Sequence, residues 1–516
     1  MLGVQIVKVF GAAAKLRVEC LCCSDIMSQT YTSSRVDTTS QRPPFEINRR
    51  MIDGFLSCGL GHAAMKKFAV SVNTNIVQET NYKKHFTALS KQYEMMRAEV
   101  LPKSRAAVRK FYMALDPNLT DDSIIDICMS FDGSWHRRGH ISLYGVAAVI
   151  DILTGIVVDY VVLSKYCHMC TVTAEELGKE SPEFHFWQEE HKKMGQCSCN
   201  HEGSSGSIEV SAAEILWKRS IENCQMRYTT MLSDGDSKAW IALQKLAPYG
   251  PETPIEKDEC INHVAKRLET GLKKVAQDSK KNGINIGGRA EGALKETTMV
   301  ALKNYFRNGI SRNFHSVENM RREILATLKH CSSTNADPNH GDCPDGPDSW
   351  CFYNKRLALG LSSGDHSQMK VKLNNAVVSA IRPLYDRLTS TELLPRCSRG
   401  GTQNTNESRH AVIWSKCPKH TISSLSKIRI AITTAVAEFN MGFYKTQKIK
   451  TSRDKHPLSS SNKGILKQKD KIRSSHRQKQ KEISKKKIKR KLEARKKAAE
   501  STKKKKEGPA YAAGAF

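Results

Sequence analysis

The sequence predicts an α/β protein whose sheet is part antiparallel and part parallel. Three short, apolar, β-prone runs follow one another at Ile124–Phe131, Ile141–Ile150 and Ile156–Leu163, with Asp151-Ile-Leu-Thr-Gly155 as the turn between the last two. A helical segment at about Glu209–Asn223 leads into a fourth run, Met226–Leu232, and a helix at Ser237–Leu246 leads towards a short strand at Pro254–Ile261 and a helix at Asn262–Val275. From Ala276 to about Arg396 the strand signal vanishes. Leu302, Tyr305 and Phe306, then Val317, Met320, Ile324 and Leu328, then Val377, Ile381 and Leu384 recur there at helical spacing.

A three-strand meander that crosses through a helix to a fourth strand matches a ribonuclease-H-like layout. The expected organisation is a leader of uncertain order at 1–44, polar and Ser/Thr-rich up to Pro43-Pro44; an N-terminal helical segment at 45–118; a ribonuclease-H-like core at 119–276 with a Cys/His insertion at 165–205; a helical insertion with a second Cys/His cluster at 277–400; a final helix at 401–444; and a basic tail at 445–516. Within the N-terminal segment, Tyr82–Leu101 reads as a helix without Gly or Pro, and Pro102 and Pro117 bracket the next, Ser104–Leu115.

Composition limits the function classes. With 39% hydrophobic and 26% charged residues, the chain can bury a core, and its 516 residues exceed one ordinary domain. No uncharged apolar run approaches the roughly 20 residues of a membrane span, and Lys8 and Lys15 interrupt the mildly apolar start, which lacks a signal-peptide core. Sixteen cysteines without a secretion signal read first as metal ligands, which places the protein inside the cell. Of the net charge of +30, residues 445–516 hold +20, with 26 basic and 6 acidic residues. So few apolar side chains cannot bury a core, so the tail is expected to be disordered when free. Lys485, Lys486, Lys487, Lys489, Arg490 and Lys491, with Arg495, Lys496 and Lys497, form a nuclear-import candidate and equally a set of phosphate contacts. No aromatic residues interleave with them, so base stacking is not indicated.

Two carboxylates stand at the ends of apolar strands, each followed by glycine: Asp132 in Ser-Phe-Asp-Gly-Ser-Trp and Asp234 in Leu-Ser-Asp-Gly-Asp. Asp-Gly after a strand is most often an ordinary turn. If the strands are neighbours, however, both acids project from one sheet edge, where they repel unless a cation lies between them. Hard oxygen ligands suit Mg2+ or Mn2+.

The cysteines and histidines cluster twice. Cys167-His-Met-Cys170 has metal-knuckle spacing, and Cys167, Cys170, His191 and Cys197 form the first candidate zinc site, with Cys199 and His201 as spares. His330, His340, Cys343 and Cys351 lie around a loop rich in Pro, Gly and Asp that lacks core-forming residues, and zinc would staple it. Cys260 and His263, at i and i+3, share one helix face as metal ligands or as core residues beside the site.

Ser130-Phe-Asp132-Gly-Ser-Trp-His-Arg-Arg-Gly-His, Leu232-Ser-Asp234-Gly-Asp, Cys260-Ile-Asn-His263 and Thr402-Gln-Asn-Thr-Asn-Glu407-Ser-Arg-His-Ala-Val-Ile-Trp-Ser-Lys resemble, in order, the motifs of Mutator-like transposases. The resemblance runs from about Pro44 to Gly442. It implies a ribonuclease-H-like catalytic domain with a helical insertion before the last acid, in which Asp132, Asp234 and Glu407 form a DDE triad holding Mg2+ or Mn2+, with Asp236 competing for the second position. The second Cys/His cluster also follows the family pattern. Arg409-His410 departs from it by being more basic. The implied activity is metal-dependent DNA cleavage and strand transfer in the nucleus. The implied partners are double-stranded DNA at element ends and target, a second copy of the chain in a synaptic complex, and nuclear import receptors, with no membrane. The alternative is a catalytically silent descendant acting as a nuclear DNA-binding or regulatory protein.

Overall fold

The computed structural model describes residues 1–36, 43–137, 141–234, 238–314, 316–452, 454 and 456–475. Its central feature is a five-stranded mixed sheet. Strands β4 (Ile125–Trp135), β5 (Tyr144–Asp151), β6 (Val157–Ser164), β7 (Met226–Ser233) and β8 (Glu256–Glu259) lie in the order β6-β5-β4-β7-β8. β4, β5 and β6 pair antiparallel; β4 with β7 and β7 with β8 pair parallel. Both faces of the central strands are covered, which is why β5 and β6 read as nearly continuous apolar runs rather than as alternation. Ala147 and Val149 face one core together with Phe131 and Trp217. Tyr144, Val146, Ala148 and Ile150 face another, with Ile413, Trp414, Ile428 and Ile432.

The N-terminal residues depart from the expected leader. β1 (Leu2–Phe10), β2 (Ala13–Cys20) and β3 (Ile26–Tyr31) form a separate antiparallel sheet. Leu2–Phe10 folds back on Ala13–Cys20 across the two-residue turn Gly11-Ala12. Asn48 anchors that turn, donating to the Phe10 carbonyl (2.7 Å) and accepting from the Ala12 amide (2.9 Å). Phe10, Tyr31 and Phe45 pack ring against ring at the same place. Strand-forming residues in 1–36 thus find partners in the helical segment, a support invisible to local pattern.

Helices α1 (Glu46–Ser57), α2 (His62–Ser71) and α3 (Glu79–Leu115) follow. Pro102 does not split α3, which runs for 37 residues through it. A helix-interior proline costs about 3 kcal/mol, but Leu89, Tyr93, Met96, Val100, Leu101 and Val108 are buried on both sides of it, so packing outweighs the penalty. The Cys/His insertion carries α4 (His168–Leu177) and α5 (Pro182–Lys193). Next come α6 (Ile208–Lys218), α7 (Ser220–Cys224) and, beyond β7, α8 (Lys238–Leu246).

Helix α9 (Ile261–Lys281) joins the sheet to the helical block. Its apolar face (Ile261, Val264, Leu268, Leu272) shares a core with α10 (Glu296–Arg312), α11 (Val317–Ser332) and α13 (Asn375–Leu388), while α12 (Phe352–Ala358) follows the second Cys/His loop. The block therefore begins at Ile261, earlier than the residue 277 expected. The expected final helix is two, α14 (Asn404–Lys416) and α15 (Leu425–Met441), broken at Cys417-Pro418 because the residue before proline is driven from helical geometry. A second compact unit begins at Gly442. In it, α16 (Phe443–Lys450) is capped by Asp470, which accepts from the Phe443 and Tyr444 amides (2.8 and 3.0 Å), and residues 460–475 are also helical. Helix therefore extends into the segment expected to be disordered. The basic residues from Lys485 to Lys497 lie outside the described residues. Among those described, no helix is long and apolar enough to cross a membrane.

Candidate active site and metal centres

Asp132 does not end its strand. β4 continues to Trp135 by pairing with β5 (Asp132 opposite Ala148), whereas its parallel pairing with β7 stops at Ser130–Leu232. Asp132 thus lies where β4 outruns β7, and Asp234 follows the last residue of β7. His263, on the first turn of α9, approaches both other acids: its Nδ1 is 3.6 Å from Asp234 and its Nε2 3.6 Å from Glu407. His410, one turn beyond Glu407 on α14, stands 3.5 Å from Asp132. Side chains from three distant segments therefore converge, and Asp234 and Glu407 remain open to solvent (60% and 62% exposed). Asp236 lies outside the described residues.

Burial pushes the Asp132 carboxyl up to about 8, and the negative charges of Glu209, Asp234 and Glu407 add to the effect. Glu209, in the first turn of α6, is itself raised by burial and by Asp234. It comes this close because residue 133 is glycine: a Cβ there would lie 3.3 Å from Glu209 Cγ. His410 is depressed to about 4, by burial first and then by Lys419 and Arg409, so it stays neutral near pH 7. Four carboxylates crowded this closely could hold hard divalent ions.

The segment entering α14 is fixed to both neighbours. Buried Gln403 donates its side-chain amide to the Phe131 carbonyl (2.8 Å), and its backbone N–H donates to Cys260 Sγ (3.4 Å). Ile261 N–H donates to the Gly401 carbonyl (3.2 Å), and Trp414 Nε1 to Ser134 Oγ (2.7 Å). Of the pair Cys260 and His263, the first is thus a buried staple for the Glu407 segment, while the second reaches the acids.

The two Cys/His clusters assemble. In each, the four ligand atoms lie within 4.8 Å of one another. Tetrahedral zinc with N and S ligands needs edges of about 3.3–3.8 Å. Cys167 Sγ lies 3.4 Å from His191 Nε2, and Cys170 Sγ 3.6 Å from Cys197 Sγ. Cys199 and His201, the spares, hydrogen bond elsewhere: Cys199 to the His201 carbonyl, and His201 with Ser207 Oγ at 3.0 Å. In the second cluster His330 and His340 present Nδ1 atoms 3.1 Å apart, and Cys343 and Cys351 lie 3.9 and 3.5 Å from His340 Nδ1. The Cys343 thiol beside it holds Cys351 down at about 4, and the same contact pushes Cys343 up. Both clusters can hold a structural metal such as zinc.

A family description, Mutator-like transposase, matches residues 2–351. The chain belongs to the Mutator-like transposase family. No curated protein and no solved structure matches it. The family match covers Asp132, Asp234, His263 and both Cys/His clusters, and stops before Glu407. Two residues of this family member escaped sequence reasoning. Glu209 sits in the first turn of a helix, where acidic residues are common for helix-dipole reasons alone, so it carried no signal. His366 meets His340 Nε2 at 2.9 Å and Asn335 Oδ1 at 2.8 Å. With His340 Nδ1 turned to the metal position, its Nε2–H donates to His366, whose Nδ1–H donates to Asn335, which fixes the His340 tautomer.

Proposed function

We propose that this family member is a DDE transposase on a ribonuclease-H-like core, cutting DNA at element ends and joining the freed 3′-hydroxyl to target DNA. What carries the reading is the convergence of Asp132, Asp234 and Glu407 around His263 and His410. The strand order, an antiparallel meander continued by two parallel strands, supports the core assignment. The three acids would hold Mg2+ or Mn2+, which when bound would supply activation of the nucleophile and stabilisation of the leaving oxygen in in-line displacement at phosphorus. His263 positions Asp234 against Glu407. Neutral His410 can accept a hydrogen bond from protonated Asp132 and leaves no fixed positive charge where a cation would sit. Glu209 adds to the negative field. The expected partners are double-stranded DNA, a second copy of the chain, and import receptors that read Lys485–Lys497, which would place the protein in the nucleus.

The test is Asp132→Asn on DNA bearing the element's own ends. Cleavage and strand transfer in Mg2+ should be abolished, with DNA binding and zinc content unchanged. Cutting by the variant in Mg2+ would refute the assignment. A wild-type chain that binds those ends and never cuts them would be the silent descendant.

A further inference from the structure

A cleft of about 880 Å³ begins at Asp234 and His263. One wall is α9, whose outward stripe runs His263, Lys266, Arg267, Thr270, Lys274, stepping three or four residues at a time so that all lie on one face. The other wall comes from the helical block: Arg387 near the end of α13 and Arg396 in the 3-10 turn Leu394–Cys397. Gly271 sets the width, since a Cβ there would lie 2.7 Å from Leu384 of α13. The cations are not all spent on neighbouring acids. Arg267 is paired with Glu259 at 2.7 Å, and Arg396 lies over the Trp240 ring. Lys266, Lys274 and Arg387 have no salt-bridge partner among the described residues. All three are exposed, and among the described lining residues the exposed acids are Asp234 and Glu392. A row of cations without salt-bridge partners among the described residues repels itself and concentrates positive potential along the cleft, which favours an anionic ligand there.

We propose that this cleft is a track for the phosphate backbone of the DNA flanking the bond to be cut, with Lys266, Lys274 and Arg387 as its phosphate contacts. The proposal rests on the reading of the carboxylates as the reacting centre and adds where the substrate lies relative to it. From His263 to Lys274 the helix rises about 16 Å, the length that between four and five phosphates of one strand occupy along the axis of a duplex, at about 3.4 Å of axis each. The helical insertion thereby acquires a role: it supplies the wall that carries the backbone towards Asp234.

The experiment uses the full chain, loaded with zinc and without added Mg2+, binding a short duplex of arbitrary sequence between about 50 and 200 mM salt. Lys266→Gln/Lys274→Gln/Arg387→Gln should make the plot of log affinity against log salt shallower by about 2.7, or about 0.9 for each phosphate no longer neutralised. Lys179→Gln/Lys218→Gln/Lys245→Gln, the same charge change on exposed lysines outside the cleft, should leave the slope unchanged. An unaltered slope in the cleft variant, or an equal loss in both, overturns the proposal. In case the cleft variant misfolds, acetylation of the wild-type protein with and without duplex gives an independent reading. Protection of Lys266 and Lys274 but not of Lys179 supports the track, and no protection overturns it. Cleavage that survives Asp132→Asn while the slope still falls would sink the catalytic reading and leave the track standing. Cleavage lost with an unchanged slope would do the reverse.

Discussion

A proton and a divalent cation should compete at Asp132, and Glu209 should set the terms. With its carboxyl raised to about 8, Asp132 is protonated near neutrality in the metal-free site, and a cation must displace that proton. Apparent affinity is then weakened by a factor of one plus ten to the power of pKa minus pH, about 100-fold at pH 6, about 11-fold at pH 7 and about twofold at pH 8. Mn2+ affinity, followed by the paramagnetic resonance signal of free Mn2+ over zinc-loaded protein, should therefore rise about 50-fold from pH 6 to pH 8. Glu209 is the largest charge contribution after burial. Glu209→Gln should lower the Asp132 carboxyl and move the acidic limb of this curve to lower pH, with affinity at pH 6 rising about tenfold for every tenfold gain in the acidity of Asp132. The high-pH plateau reports separately on any direct attraction of Glu209 for the ion. The same groups affect folding. Native Asp132 keeps a proton that the unfolded chain has released, so metal-free stability falls with rising pH between about 4 and 8. His410, depressed to about 4, acts oppositely up to about 6.5. The net loss should therefore show between about 6.5 and 8, and should vanish in Asp132→Asn. Mn2+ affinity that is flat from pH 6 to pH 8, or an acidic limb unmoved by Glu209→Gln, would refute the reasoning.

Other consequences are simpler to read. Purified protein should carry about two zinc ions per chain; Cys343→Ser should lose one, and His366→Ala should keep both at saturating zinc yet weaken one site about 10- to 100-fold in chelator competition, as expected when the partner that orients a ligating histidine is removed. Gln403→Leu leaves the buried Phe131 carbonyl without its donor, so chemical denaturation should show a loss of about 1–3 kcal/mol. Cleavage should fall as well, because the segment carrying Glu407 loosens; unchanged stability would show that water replaces the bond. Removing residues 476–516, which carry +12 of the net charge, should leave zinc content and thermal unfolding unchanged, abolish nuclear accumulation of a fluorescent fusion and reduce DNA affinity at all sequences. A truncated chain still concentrated in nuclei would remove the import role.

The features legible in the sequence were those encoded within a few residues. Strands β4 to β7 were visible because each is a largely apolar run between turn residues, and the first metal cluster because Cys167 and Cys170 share one short knuckle; β8 is the charged run Glu256-Lys-Asp-Glu259 and is held as a strand by its pairing with β7. The sets Asp132, Asp234, Glu407 and His330, His340, Cys343, Cys351 were named from motifs; that each set's members approach one another is a property of the folded chain. Tertiary structure decided the rest. Pro102 sits inside one long helix because burial on both sides outweighs a missing hydrogen bond, a balance that no local preference contains. Leu2–Tyr31 became a sheet because Asn48 and Phe45, distant in sequence, satisfy its turn and cover its end. Asp132 lies within its strand because β5 extends farther than β7. Glu209 and His366 were silent because an acid in a first helical turn and a lone histidine in a loop are ordinary. Their environments come from Gly133 and from His340, across gaps that only chain closure brings together. Local periodicity reports what a segment is, whereas the electrostatics of a site depend on which segments meet, and that is set by the packing of the whole core.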